Sequence, residues 1–193
     1  MADQRAADRV HAESRAAWRE WLVEHHATAG GVWLVSWRTP TGRPRMTYDE
    51  SVLEALAVGW IDGQAKTLDE QRTMQWFAPR RPSSSWSAVN KERVERVEAE
   101  GIMLPAGRAA IERSKANGSW SVLDGADALI EPPDLAALLD ADPAARANWD
   151  AFPPSVRRWA LSSIALAKRS DTRERRIAET ARQAAAGERP GPR

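Results

Sequence analysis

The chain has no cysteine in its 193 residues, which excludes disulfide frameworks, zinc-thiolate sites and thiol nucleophiles. Its three histidines do not make a ligand set. His25 and His26 are adjacent and point away from each other on a helix, and His11 lies two helical faces away. Long apolar runs are missing too, and nothing approaches the roughly 20 residues of a membrane span. Residues 1–19 are charged and alanine-rich, without the apolar centre and small-residue cleavage site of a secretory signal. The expectation is a cytoplasmic protein with no membrane span. Net charge is only +1, so bulk electrostatics predict no nucleic-acid partner. The charge is uneven, however: residues 157–193 carry a net of +6. That pattern fits solvated helix faces, with a protein partner for the C-terminal helices as the alternative.

Aromatic usage is lopsided, with ten tryptophans against one tyrosine and two phenylalanines. Tryptophan brings a large apolar area and an N–H that needs an acceptor. Most of these indoles fall at helix or strand spacing and read as core. Trp60 and Trp86 stand apart, beside glycines, prolines and polar residues.

The periodicity predicts an α+β fold: a small, mostly antiparallel sheet of about three strands flanked by helices, followed by a helical C-terminal segment. A first helix is expected over residues 3–27, and Trp18, Trp21, Leu22 and His25 share one face. Residues 32–38 read as a strand. Thr47 and Glu50 form a capping box for a second helix that Gly59 ends. Residues 60–68 and 73–78 make a hairpin, with Gly63 marking a bulge or a close backbone approach. A hydroxyl within residues 83–87 caps a helix that Gly101 stops. Pro105 opens another, which ends at Asn117-Gly118. Past a connector at residues 119–133 the chain is helical, with Asp142-Pro143 as a start and Pro153-Pro154 as a break. Val156, Trp159, Ala160, Ile164 and Ala167 are expected on one apolar face, and Asp171 with Glu174 as a capping box. The domain expectation is an α+β body over residues 1–130, a helical module over 131–187 and a disordered tail over 188–193.

The chemistry concentrates in Gly59-Trp60-Ile61-Asp62-Gly63-Gln64 and Pro79-Arg80-Arg81-Pro82-Ser83-Ser84-Ser85-Trp86-Ser87. Asp62 reads as a general base or an acceptor for a cationic group, or as an acid paired with Arg80 or Arg81. Arg80 and Arg81 ahead of a serine-rich helix start suit an anion, because guanidiniums and exposed N–H groups both attract negative charge. Plain solvation of the arginines is the alternative. Acyl-enzyme chemistry is not expected, since no Gly-x-Ser-x-Gly elbow surrounds the serines. The phosphate-binding glycine loop with its Lys-Ser/Thr pair is absent, and no cofactor or metal is expected.

The first of these stretches, together with Phe77-Ala78-Pro79-Arg80-Arg81-Pro82, Trp86-Ser87-Ala88-Val89-Asn90 and Gly107, resembles the signature of the bacterial YdeI/OmpD-associated (OmdA-like) proteins. Residues 132–187, including Ala167-Lys168-Arg169 and Thr172-Arg173-Glu174-Arg175-Arg176-Ile177, are similar to that family's C-terminal helical module, often labelled a bacteriocin-protection domain. The resemblance implies a stress or antimicrobial-resistance protein. The leading expectation is a small anionic or aromatic ligand in a pocket of Trp60, Asp62, Gln64, Arg80, Arg81, Ser83, Trp86, Ser87 and Asn90. An enzyme using Asp62 as base in the same pocket, or an interaction module acting through the C-terminal helices, are the other readings.

Overall fold

A computed structural model describes residues 8–191. The chain divides into two compact units, one of residues 8–84 and 89–119, the other of residues 85–88 and 120–191. The first unit is the α+β part, with its elements in the order β1 (Arg9–His11), α1 (Arg15–His25), β2 (Val32–Trp37), α2 (Tyr48–Ala57), β3 (Trp60–Thr67), β4 (Arg72–Pro79), α3 (Ala88–Ala99) and α4 (Pro105–Ala116).

The sheet has four strands in the order β1-β2-β4-β3, one more than expected. The additional strand is β1, which pairs parallel with β2 from Arg9 opposite Trp33 to His11 opposite Val35. It falls inside the expected first helix. Three residues are too few to show a period of two, so the alanine-rich helical pattern masked them. The true helix begins after Ser14, whose hydroxyl accepts from the Ala17 amide at 3.2 Å; residues 3–7 of the expected helix lie outside the described residues.

Several other local signals form as expected. Thr47 and Glu50 close a reciprocal capping box on α2, and Gly59 takes a left-handed φ of 78° just past it. The β3–β4 pairing shifts register between Asp62 and Ala65. The bulge holds Gly63 over Trp76: a Cβ there would sit 3.0 Å from the indole. Gly107 marks a close approach between two helices, since a Cβ would fall 2.4 Å from the Ala57 carbonyl. That contact lets α4 lie against the end of α2. The core is a run of rings from Phe77 through Trp18 and Trp21 to Trp60, with neighbouring centroids 5.3, 5.4 and 6.0 Å apart. The Trp18 indole donates to the Ser51 carbonyl at 3.1 Å. His25 stacks on Trp21 with its Nδ1 2.9 Å from the Trp21 carbonyl, but its side chain is 39% exposed, so it lies at the rim of the core and not within it.

The second unit is helical: α5 (Asp124–Asp127), α6 (Pro133–Asp140), α7 (Pro143–Ala151), α8 (Pro154–Ala165) and α9 (Ser170–Ala185). Leu135, Leu139, Trp149, Leu161, Ile164 and Ile177 form its core, and Trp86 packs on Trp120 at 5.0 Å. Two expectations change. Trp159 is not on the buried face of α8 but 42% exposed. The Asp171–Glu174 capping box does not form: α9 begins at Ser170 with Arg169 in the cap position and no side-chain cap, and the Asp171 carboxylate is instead held by Arg169 at 2.6 Å. Among the described residues no helix is long and apolar enough to cross a membrane.

Candidate functional site

Asp62 lies on β3 opposite Phe77, just before the bulge, and is half-buried. Its Oδ2 accepts a hydrogen bond from the Tyr48 hydroxyl at 2.7 Å. Tyr48 is the first residue of α2, so the capping box that starts this helix also sets the phenol over the sheet. Arg93 on α3 reaches the other side of Tyr48, its guanidinium 5.6 Å from the ring centroid. The same guanidinium donates to Asp49 at 2.9 Å and to Asn90 at 3.2 Å, and Arg96 adds a second donor to Asp49 at 2.7 Å. Asn90, Arg93, Tyr48 and Asp62 therefore form one continuous polar run.

Arg80 follows β4, and its backbone N–H donates to the Gly59 carbonyl at 3.0 Å. The side chain is buried, at 6% exposure. Burial pulls the guanidinium pKa down to about 10, and the Asp62 carboxylate resists that shift. It is still a cation at neutral pH, so it makes the interior behind Asp62 positive. The Tyr48 phenol is pushed up to about 12, by burial first and then by its hydrogen bond to Asp62. The Asp49 carboxyl is held below its usual range, mainly by Arg96, with burial opposing and Arg93 assisting.

The structure does not gather all the expected site residues. Asp62, Arg80 and Asn90 belong to the cluster just described or border it. Trp60 is core: it is 1% exposed and its indole donates to the His26 carbonyl at 3.3 Å. Gln64 on the bulge, Arg81 and Ser83 are exposed. Trp86 and Ser87 group with the second unit. Tyr48 and Arg93 are the residues that sequence reasoning missed. The signal was present in composition, because a chain with one tyrosine beside a capping residue singles that tyrosine out.

Tyr48 offers a direct measurement. As the only tyrosine, it alone gives tyrosinate absorbance, which is expected to rise at about pH 12 rather than at the ordinary value of 10. A raised folded pKa means that the bond's contribution to stability is complete below pH 10 and is lost as pH climbs through about 12. Asp62→Asn should bring the midpoint back toward 10. A midpoint at 10 in the wild type would show that the phenol is free.

A cavity of about 220 Å³ in this unit lies elsewhere, lined by Arg19, Leu22, Glu54, Val58 and Leu104 among others. Glu54 is a further feature that the sequence did not disclose. It is 1% exposed on α2, and both Arg15 and Arg19 bind it, at 2.5 and 2.6 Å. Among the described residues no group of three or more metal-ligating side chains converges.

Comparison with known families divides the chain much as its architecture does. Residues 128–187 match the model described as bacteriocin-protection, YdeI or OmpD-associated. Residues 10–110 match a different model, so the motifs of residues 59–90 lie outside the first match. No curated protein and no solved structure matches the chain. By the match over residues 10–110 the chain belongs to the family described as domain of unknown function (DUF8412), and at residues 128–187 it carries an OmdA domain of the YdeI/OmpD-associated type.

Proposed function

We propose that this is a YdeI/OmdA-type stress or antimicrobial-resistance protein of the cytoplasm that binds a small anionic ligand, with an aromatic one as the alternative, beside Asp62. The observation that carries this reading is the polar run of Asn90, Arg93, Tyr48 and Asp62, bordered by the buried cation of Arg80. Arg80, Arg93 and Arg96 outnumber the carboxylates of Asp49 and Asp62, so the net local charge favours an anion. Arg93 would face the ligand's charge, Asp62 and Tyr48 would orient its donor groups, and the exposed Gln64, Arg81 and Ser83 would reach its rim. Trp60 would support the floor of the site. Trp86 and Ser87, which group with the second unit, are left out of this site. A general-base role for Asp62 is the second reading. It is less favoured because Tyr48 occupies Oδ2, an arrangement suited to an orienting acceptor.

The test is thermal-shift and tryptophan-fluorescence screening of a metabolite and antimicrobial-peptide panel against wild type, Tyr48→Phe and Arg93→Gln. Arg80→Ala is a poor probe, since truncating a buried side chain disturbs packing as well as charge. The expected result is an anionic hit whose affinity drops about tenfold in Arg93→Gln, the scale of one charge-assisted hydrogen bond. A panel without a hit on the wild type, or hits indifferent to both substitutions, would sink the proposal.

A further inference from the structure

The second unit contains a cavity of about 860 Å³, near the upper end of the range for small-molecule sites. One wall is the stripe Trp159, Ser162, Ser163 and Leu166 on α8, at the i, i+3, i+4 and i+7 spacing of a helix face. The other is Arg175, Arg176, Glu179, Thr180 and Gln183 on α9. Gly191 lies at its edge, where the chain turns back after Gly187 through a Glu188 amide bonded to the Gln183 carbonyl at 2.8 Å.

Two features of this groove point to a ligand. Trp159 is the one exposed indole of the ten, and Leu166 beside it is also exposed, so a flat apolar surface is left facing solvent within a polar frame. The electrostatics are also asymmetric. The neighbouring arginines are committed to carboxylates: Arg146 to Glu131, Arg169 to Asp171, Arg173 to Asp134 and Arg182 to Glu179. Glu179, the groove's acid, is thus paired with Arg182. The groove's two cations are held less closely. Arg176 donates to the neutral Ser163 carbonyl, and the exposed Arg175 acts on the Asp171 carboxylate through space, where it helps to lower that group's pKa. The groove therefore presents a flat indole beside an exposed cation that is only partly offset by Asp171 and Glu179.

We propose that this groove binds a small planar aromatic carboxylate, its ring on Trp159 and Leu166 and its carboxylate on Arg175, with Ser162 and Gln183 as further polar partners. This site is separate from the one beside Asp62. It is tested by heteronuclear NMR titration of the full chain with naphthoate and with uncharged naphthol, following the indole N–H resonances. Naphthoate should shift the Trp159 indole saturably and bind more tightly than naphthol. Arg175→Gln should weaken naphthoate about tenfold and leave naphthol unchanged. Both Arg175 and Trp159 are exposed, so Arg175→Gln and Trp159→Ala should melt like the wild type. Tyr48→Phe should bind naphthoate as the wild type does, which separates failure here from failure at Asp62. Equal binding of naphthol and naphthoate, indifference to Arg175→Gln, or the absence of a saturable Trp159 shift would each overturn the proposal.

Discussion

Trp149→Ala is expected to cost about 3–5 kcal/mol, enough to leave the helical unit partly unfolded at growth temperature if its stability is the usual 5–15 kcal/mol of a small domain. Two effects combine. Trp149 is completely buried, with Phe152 edge-on at 6.4 Å and Leu135, Leu139 and Ile177 in the same core, so truncation leaves a large cavity. Its indole also donates to Glu131 at 2.7 Å. Burial raises the Glu131 pKa, but the bonds from Arg146 and Trp149 outweigh it and hold this carboxyl below its ordinary 4.5. With a depressed folded pKa, the Glu131 contribution is full above pH 4.5 and is lost as pH falls below it. Trp149→Phe keeps most of the apolar contact and loses the bond, and should cost about 1–3 kcal/mol. Urea midpoints and limited proteolysis of the α6–α9 region read both. The exposed Trp159→Ala is the control, expected within about 0.5 kcal/mol of wild type. Equal costs at positions 149 and 159 would contradict the packing described.

The second large effect is asymmetric. Removing Arg15 and Arg19 together leaves Glu54 as an unpaired charge at 1% exposure, and should cost about 3–5 kcal/mol. Removing the acid instead, as Glu54→Gln, leaves two arginines that are partly exposed and can take up water. That change should cost only about 1–3 kcal/mol. Combining all three substitutions should recover much of the double mutant's loss, because the carboxylate that needed compensation is gone. Denaturant midpoints of the three proteins decide the matter. If Glu54→Gln proves as damaging as the double arginine change, then the network stabilises by attraction rather than by relieving a buried charge.

The parts of the fold that were legible in the sequence are those written in local chemistry. A hydroxyl and a carboxylate three residues apart, as at Thr47 and Glu50, can satisfy each other without outside help. Gly59, Gly101 and Gly118 end their helices with left-handed φ, a cheap conformation for glycine alone. Asp171 shows where local reading fails, because the same carboxylate has a competitor in Arg169. β1 depends on pairing with β2, far along the chain, and its three residues carry no pattern of their own. Glu54 looks like a solvated acid on an amphipathic helix until α1 is laid beside it. At the Asp62 site the acid was legible, but its partner Tyr48 belongs to the preceding helix, and only the β3 register brings the two together. Arg80 and Arg81 ahead of a serine-rich helix start look alike as anion-binding cations in sequence, yet Arg80, next after β4, is buried at 6% exposure while Arg81 is exposed.

The Trp86–Trp120 pair has a consequence for the order in which this protein is made. Residues 85–88 are the only part of the helical unit that emerges before the α+β unit is complete. Translation adds about 5–20 residues per second, so Trp86 leaves the ribosome a few seconds before the indole it packs against. During that interval the rest of the α+β unit, α3 and α4 included, is made while Trp86 lacks its partner. A slow codon between the two tryptophans would prolong that interval.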